Sequence, residues 1–126
     1  MRLGNKYDLA VVKIDAQNLI GLRFGNSMSV TPGTDVLAIG TPSDEEFAQT
    51  MTSGIVSGMR ESDTTGLKYI QTDVSISPGN SGGPLLSSSG EILGVITMKV
   101  VGFGVEGIGF AIPADELMAD LKFQYK

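Results

Sequence analysis

Ser81 lies in the run Ile76-Ser77-Pro78-Gly79-Asn80-Ser81-Gly82-Gly83-Pro84, where three glycines crowd one hydroxyl. Glycine at 79, 82 and 83 lets the backbone turn sharply and keeps bulk away from the serine oxygen. Successive backbone N–H groups in such a turn can converge on a single point, the arrangement that stabilises an oxyanion. The chemistry this suggests is acyl transfer by a serine nucleophile, which needs a base to take the hydroxyl proton. The chain contains no histidine. A nucleophile is therefore on the page, and its usual base is not.

Two formal motifs mislead. Gly79-Asn80-Ser81-Gly82-Gly83 fits G-x-S-x-G, the nucleophile elbow of α/β-hydrolases. An elbow requires a helix directly after the serine and a later histidine; Gly82-Gly83-Pro84 opposes the first and composition excludes the second. Gly102-Phe103-Gly104-Val105-Glu106-Gly107 fits G-x-G-x-x-G. A dinucleotide site would open a helix there, whereas strand-like sequence follows and the chain soon ends, so a glycine loop is expected.

The elements that must position Ser81 read as short strands. Branched and apolar residues predict strands at 9–14, 36–40, 50–58 (bent at Gly54), 67–72, 84–86, 91–101 and 108–113. Residues 15–32 read as a connection, 43–48 and 61–66 as polar loops, and Ser87-Ser88-Ser89-Gly90 as a hairpin turn. A short helix is expected over 114–122, with Leu117, Met118 and Leu121 on one face. Regularly spaced strands with helix only at the end predict an antiparallel sandwich or barrel.

The 126 residues are one domain's worth of chain, with 41% hydrophobic and 18% charged residues. A net charge of −5 with scattered Lys and Arg argues against nucleic acid. The absence of Cys and His leaves no thiolate or imidazole for a metal, and neither metal nor cofactor is expected. No apolar run reaches the roughly 20 residues of a membrane helix. No secretory signal is visible, and 8–14 reads as the middle of a domain, so Met1 is expected to be an introduced start or an internal boundary. The methionines read as core filler. Glu45-Glu46 reads as a solvated loop and Asp73 as a turn acid.

Gly79 to Pro84 also matches G-[DN]-S-G-G-P, the serine signature of trypsin-like proteases. Asp8-Leu9-Ala10-Val11-Val12-Lys13-Ile14, Gly54-Ile55-Val56-Ser57, Ile70-Gln71-Thr72-Asp73, the segment from Pro78 to Leu86, and Gly107-Ile108-Gly109-Phe110-Ala111-Ile112-Pro113 together resemble the HtrA (DegP/DegQ) branch of that family. The blocks stand in the family's order along nearly the whole chain. The resemblance implies an all-β, chymotrypsin-like antiparallel β-barrel with a short C-terminal helix: residues 1–32 as a remnant of the first barrel and the inter-barrel connection, 33–126 as the second barrel with its helix.

By position, the resemblance implies Asp8 as the triad aspartate, Ser81 as the nucleophile, and the N–H groups of Gly79 and Ser81 as the oxyanion hole. In some relatives this loop switches between competent and collapsed forms. The triad order His, Asp, Ser puts the missing histidine before Asp8. In trypsin-like enzymes the residue six before the serine floors the S1 pocket. Here it is the neutral Ser75, with walls from Val95, Ile96, Thr97, Gly107 and Gly109, implying a small or medium aliphatic P1 residue. The implied function is a serine endopeptidase of bacterial protein quality control, acting on unfolded polypeptide in the periplasm or cell envelope.

By itself the chain is expected to be almost inert, to need the N-terminal half of the protease domain, and to self-associate through the face that half would cover. Two other readings stay open: a catalytically inactive protease-like module that binds peptides or regulates, and a β-barrel with no site.

Overall fold

The computed structural model describes residues 1–41, 49–76, 78–98 and 108–122. Strands β3 (Asp35–Gly40), β4 (Thr50–Glu61), β5 (Lys68–Thr72), β6 (Pro84–Ser87), β7 (Ile92–Thr97) and β8 (Gly109–Pro113) close into an antiparallel barrel in the order β3-β4-β5-β8-β7-β6. Helix α1 (Ala114–Leu121) follows β8 without a break. Before the barrel, β1 (Arg2–Leu3) and β2 (Ala10–Val11) pair only with each other. The expected chymotrypsin-like barrel with a closing helix is what forms.

The barrel interior is filled by Val36, Ala38, Val56, Ile70, Leu85, Ile96 and Ala111, all nearly inaccessible. Alternation is clear on β3, where Val36 and Ala38 are buried and Asp35 is exposed. On β8 all five residues are buried. One face meets the barrel core through Ala111, and the other meets α1 through Phe110 and Ile112. A strand covered on both sides reads as a continuous apolar run rather than an alternating one, and Gly109-Phe110-Ala111-Ile112-Pro113 does so.

A second cluster lies between the outside of the barrel and α1: Tyr7, Tyr69, Phe110, Ile112, Leu117 and Leu121. Tyr7 and Tyr69 meet edge to face at 5.6 Å, and Tyr69 meets Phe110 at 6.2 Å. These contacts bind the N-terminal segment to the barrel wall. Helix α1 starts after Pro113, which offers no side-chain cap. The Ser27 hydroxyl instead accepts the Asp115 N–H at 3.0 Å, from 88 residues away, and also bonds the Asp115 carboxylate. Lys122 ends the helix in the left-handed conformation.

Several expectations need correction. The strand expected at 9–14 shrinks to Ala10–Val11, with Val12 and Ile14 exposed and no ladder partner among the described residues. β1 was not expected; two residues are too few to show a pattern. β4 does not break register at Gly54, which pairs with Val36; the irregularity falls between Val56 and Gly58, against β5. Glycine is needed at 54 because a Cβ there would run into the Asp73 carboxylate. The methionines are not core filler: Met1, Met28, Met51, Met59 and Met98 are exposed, and only Met118 packs partly against the core. A narrow six-stranded barrel is filled by Val, Ala, Ile and Leu, leaving no irregular gap for a long flexible side chain. The end of the strand expected at 91–101, the glycine loop at 102–107 and Glu45-Glu46 lie outside the described residues.

Candidate active site

Ser81 follows a 3-10 turn at Pro78–Asn80 and is exposed at its apex. Gly82 comes next with φ +89°, a conformation that only glycine takes at no steric cost. The turn is stitched to β7 on its far side. The Gly82 N–H donates to the Ile96 carbonyl at 2.8 Å, and the Ile96 N–H donates to the Gly83 carbonyl at 2.9 Å. The Gly83 N–H closes back onto the Asn80 carbonyl at 2.9 Å. On the near side the Thr41 N–H donates to the Gly79 carbonyl at 3.1 Å. The nucleophile candidate therefore rests on strands β3 and β7, and strand rather than helix follows it at Pro84.

Asn80, whose importance sequence reading missed, is only 5% exposed. Its Nδ2 donates to the Ser75 carbonyl at 3.0 Å, while its Oδ1 has no hydrogen-bond partner among the described residues. The 3-10 turn also bears on the N–H groups of Gly79 and Ser81. Such a turn bonds N–H groups to carbonyls three residues back, which engages donors at its end, next to Ser81, and leaves the Gly79 N–H near its start outside that ladder.

Asp8 reaches the same cleft from the N-terminal segment. A cleft of about 340 Å³ is lined by Asp8, Leu9, Ala10 and Val11 on one side and by Ser81, Gly82 and residues 95–97 on another, with Leu117 and Leu121 of α1 completing the wall. The fold thus brings together residues 73 positions apart in sequence (81 − 8). Val95, Ile96 and Thr97 also stand in this cleft. Ser75 and Gly109 are not among the described residues that line it. Ser75 is exposed, and its carbonyl anchors Asn80. Gly109 pairs with Thr72 on the β5–β8 ladder. Gly107 lies outside the described residues.

What holds Asp8 there was also invisible in sequence. Tyr7 is buried, and its hydroxyl both donates to the Lys68 carbonyl at 2.9 Å and accepts the Lys68 N–H at 3.0 Å. Burial pushes the phenol up to about 12. Asp120, buried on the last turn of α1, accepts three consecutive backbone N–H groups: Asn5 and Lys6 on Oδ1, both at 2.9 Å, and Tyr7 on Oδ2 at 3.0 Å. Burial alone would raise its pKa; the three N–H donors, with Lys6, outweigh it and hold the carboxyl below its ordinary value. One signal was available: Asp120 shares the apolar face of α1 with Leu117 and Leu121 at i+3 and i+4 spacing. Asp73 has a structural task, accepting the Ile55 N–H at 2.7 Å beside the β4 irregularity.

Comparison with known proteins gives a consistent picture. The family model for the trypsin-like peptidase domain matches residues 2–95. The serine protease Do-like HtrB of Bacillus subtilis (strain 168) is 42% identical over 118 residues, covering 87% of this chain and 26% of the relative. The probable periplasmic serine endoprotease DegP-like of Chlamydia pneumoniae is 47% identical over 122 residues, covering 94% and 24%. Among solved structures, the HtrA-type protease AlgW with decapeptide superimposes with a TM-score of 0.80 at 39% identity, covering 93% of this chain and 37% of that one. The chain therefore spans about a quarter of the length of these curated relatives.

Proposed function

Because this chain belongs to the trypsin-like peptidases, in their HtrA branch, we propose that it is the aspartate- and serine-bearing part of a serine endopeptidase that cleaves unfolded polypeptide. The observation that carries the reading is the shared cleft of Asp8 and Ser81. Ser81 is the nucleophile. A histidine supplied from outside these 126 residues takes its proton, and Asp8 orients that imidazole and stabilises its charged form. The acyl-enzyme on the Ser81 oxygen is then released by water. The N–H groups of Gly79 and Ser81 stabilise the oxyanion once the 3-10 turn opens to free the donor at its end.

Residues 1–32 belong with the first barrel and the connection, and 33–126 form the second barrel. Val95, Ile96 and Thr97 make a branched, uncharged wall that suits a small or medium aliphatic P1 side chain. The natural setting is the periplasm or cell envelope, which the printed name of the Chlamydia pneumoniae relative supports.

The test is a fluorophosphonate probe on the complete histidine-bearing protein. Labelling at Ser81, abolished by Ser81→Ala, is expected. Asp8→Asn should lower kcat by about 10⁴-fold. The 126-residue chain, lacking any histidine, should turn over about 10⁶-fold more slowly than the complete enzyme. A second reading, a peptide-binding module without catalysis, draws on the 3-10 turn at Pro78–Asn80. Failure of the complete protein to label at Ser81 would favour it.

A further inference from the structure

We propose that Asp120 is a positioning residue that sets where the Asp8 carboxylate stands in the cleft, an inference resting on the reading of Asp8 and Ser81 as the reacting pair. Asp120 acts through the backbone. Its carboxylate gathers the N–H groups of Asn5, Lys6 and Tyr7, and Asp8 is the next residue in the chain. Successive backbone donors converging on one anion form a concave nest whose shape fixes the backbone that makes it.

The same segment is fastened twice more. The Arg2 guanidinium donates from Nη1 to the carbonyls of Leu121 and Lys122, both at 2.8 Å, and the Tyr7 hydroxyl bridges the backbone of Lys68. Inside the turn, the Gly4 N–H donates to the Leu9 carbonyl and the Leu9 N–H to the Tyr7 carbonyl, both at 2.9 Å. The residue at 4 must lack a side chain, because a Cβ there would meet Asp120 Oδ2. Without the carboxylate, the approach to Asp8 would depend on Tyr7, Arg2 and a two-residue ladder, and an isolated two-stranded pair is at best marginally stable.

Helix α1 therefore has two functions at one end. Leu117 and Leu121 line the cleft, and Asp120 between them holds the turn that delivers Asp8. A displacement of about 1 Å in a reacting group can cost about 10²-fold in rate, so a loosened turn should act on turnover rather than on substrate binding.

The experiment uses the complete histidine-bearing protein and four variants. Asp120→Asn keeps the shape but loses the charge and part of the acceptor capacity. Gly4→Ala disturbs the same nest while leaving the carboxylate in place. Val56→Ala, in the barrel interior and not among the residues that line the cleft, controls for lost stability, and Ser81→Ala tests the underlying reading. Asp120→Asn and Gly4→Ala should each lower kcat roughly 10- to 100-fold with KM unchanged, and slow phosphonylation of Ser81 in proportion. Val56→Ala should keep kcat at a temperature where all variants are folded. If Asp120→Asn and Gly4→Ala lose no more kcat than Val56→Ala while Ser81→Ala is dead, the positioning role is overturned and the catalytic reading stands. Turnover surviving in Ser81→Ala overturns both.

Discussion

Among the described residues, Asn80 is a buried polar side chain matched to its surroundings on one side only, through its amide nitrogen. Its amide nitrogen faces the Ser75 carbonyl, so a carboxylate in its place would point a charge at an acceptor in a water-poor site. Asn80→Asp is expected to destabilise the fold by about 3–5 kcal/mol at neutral pH, and less in acid, where the carboxyl is protonated. Urea melts at the two pH values measure the difference. Asp120 is the opposite case, a charge with three donors. Because its folded pKa lies below the unfolded value, its stabilisation is complete above the ordinary carboxylate range. That stabilisation is lost as pH falls through the lowered value. Asp120→Asn should flatten the acid side of the stability profile, measured as melting temperature against pH. Ser81 was legible in sequence because its turn is written in nine adjacent residues. The roles of Asp120 and Tyr7 were not, because their partners are 113 to 115 and 61 residues away.

Elements were legible where burial on one or both faces left a local pattern, as on β3, β5, β6, β8 and α1. The pattern failed where a strand needs a partner to exist. Residues 9–14 have strand composition throughout, yet only Ala10–Val11 find a ladder, with Arg2–Leu3. The start of α1 was legible from Pro113, but its cap was not, since the hydroxyl comes from Ser27. Ser27 is 2% exposed, so the Asp115 N–H has no ready substitute from water. Ser27→Ala is expected to cost about 0.5–2 kcal/mol, read from denaturant unfolding. The loss should appear as earlier exchange of the amides in the first turn of α1.

At the scale of the whole molecule, strand count and spacing left a sandwich or a barrel open, and it was the family resemblance that implied the barrel with its closing helix. Neither told of the wrapping of residues 1–32 around the barrel. Part of that wrap is unsheltered: Val12, Ile14, Leu19, Ile20 and Leu22 are all exposed, Ile20 almost completely. Exposed large apolar side chains in such number mark an interaction site or an aggregation hazard where they share a face. The chain by itself is expected to self-associate with rising concentration, and light scattering showing a monomer throughout would contradict this. Adding the N-terminal half of the protease domain should suppress the association.

The bonds from Arg2 to the carbonyls of Leu121 and Lys122 carry one more consequence. They clasp the segment at Arg2 to the end of helix α1, so residues 2 and 122 are held at one spot on the surface. A short tether joining Lys122 to Met1, with a new opening cut at the exposed Ser88 and Ser89 of the β6–β7 hairpin, would leave all six barrel ladders in register. A circular permutant of this kind would carry its new ends at the hairpin instead of at the Arg2 clasp.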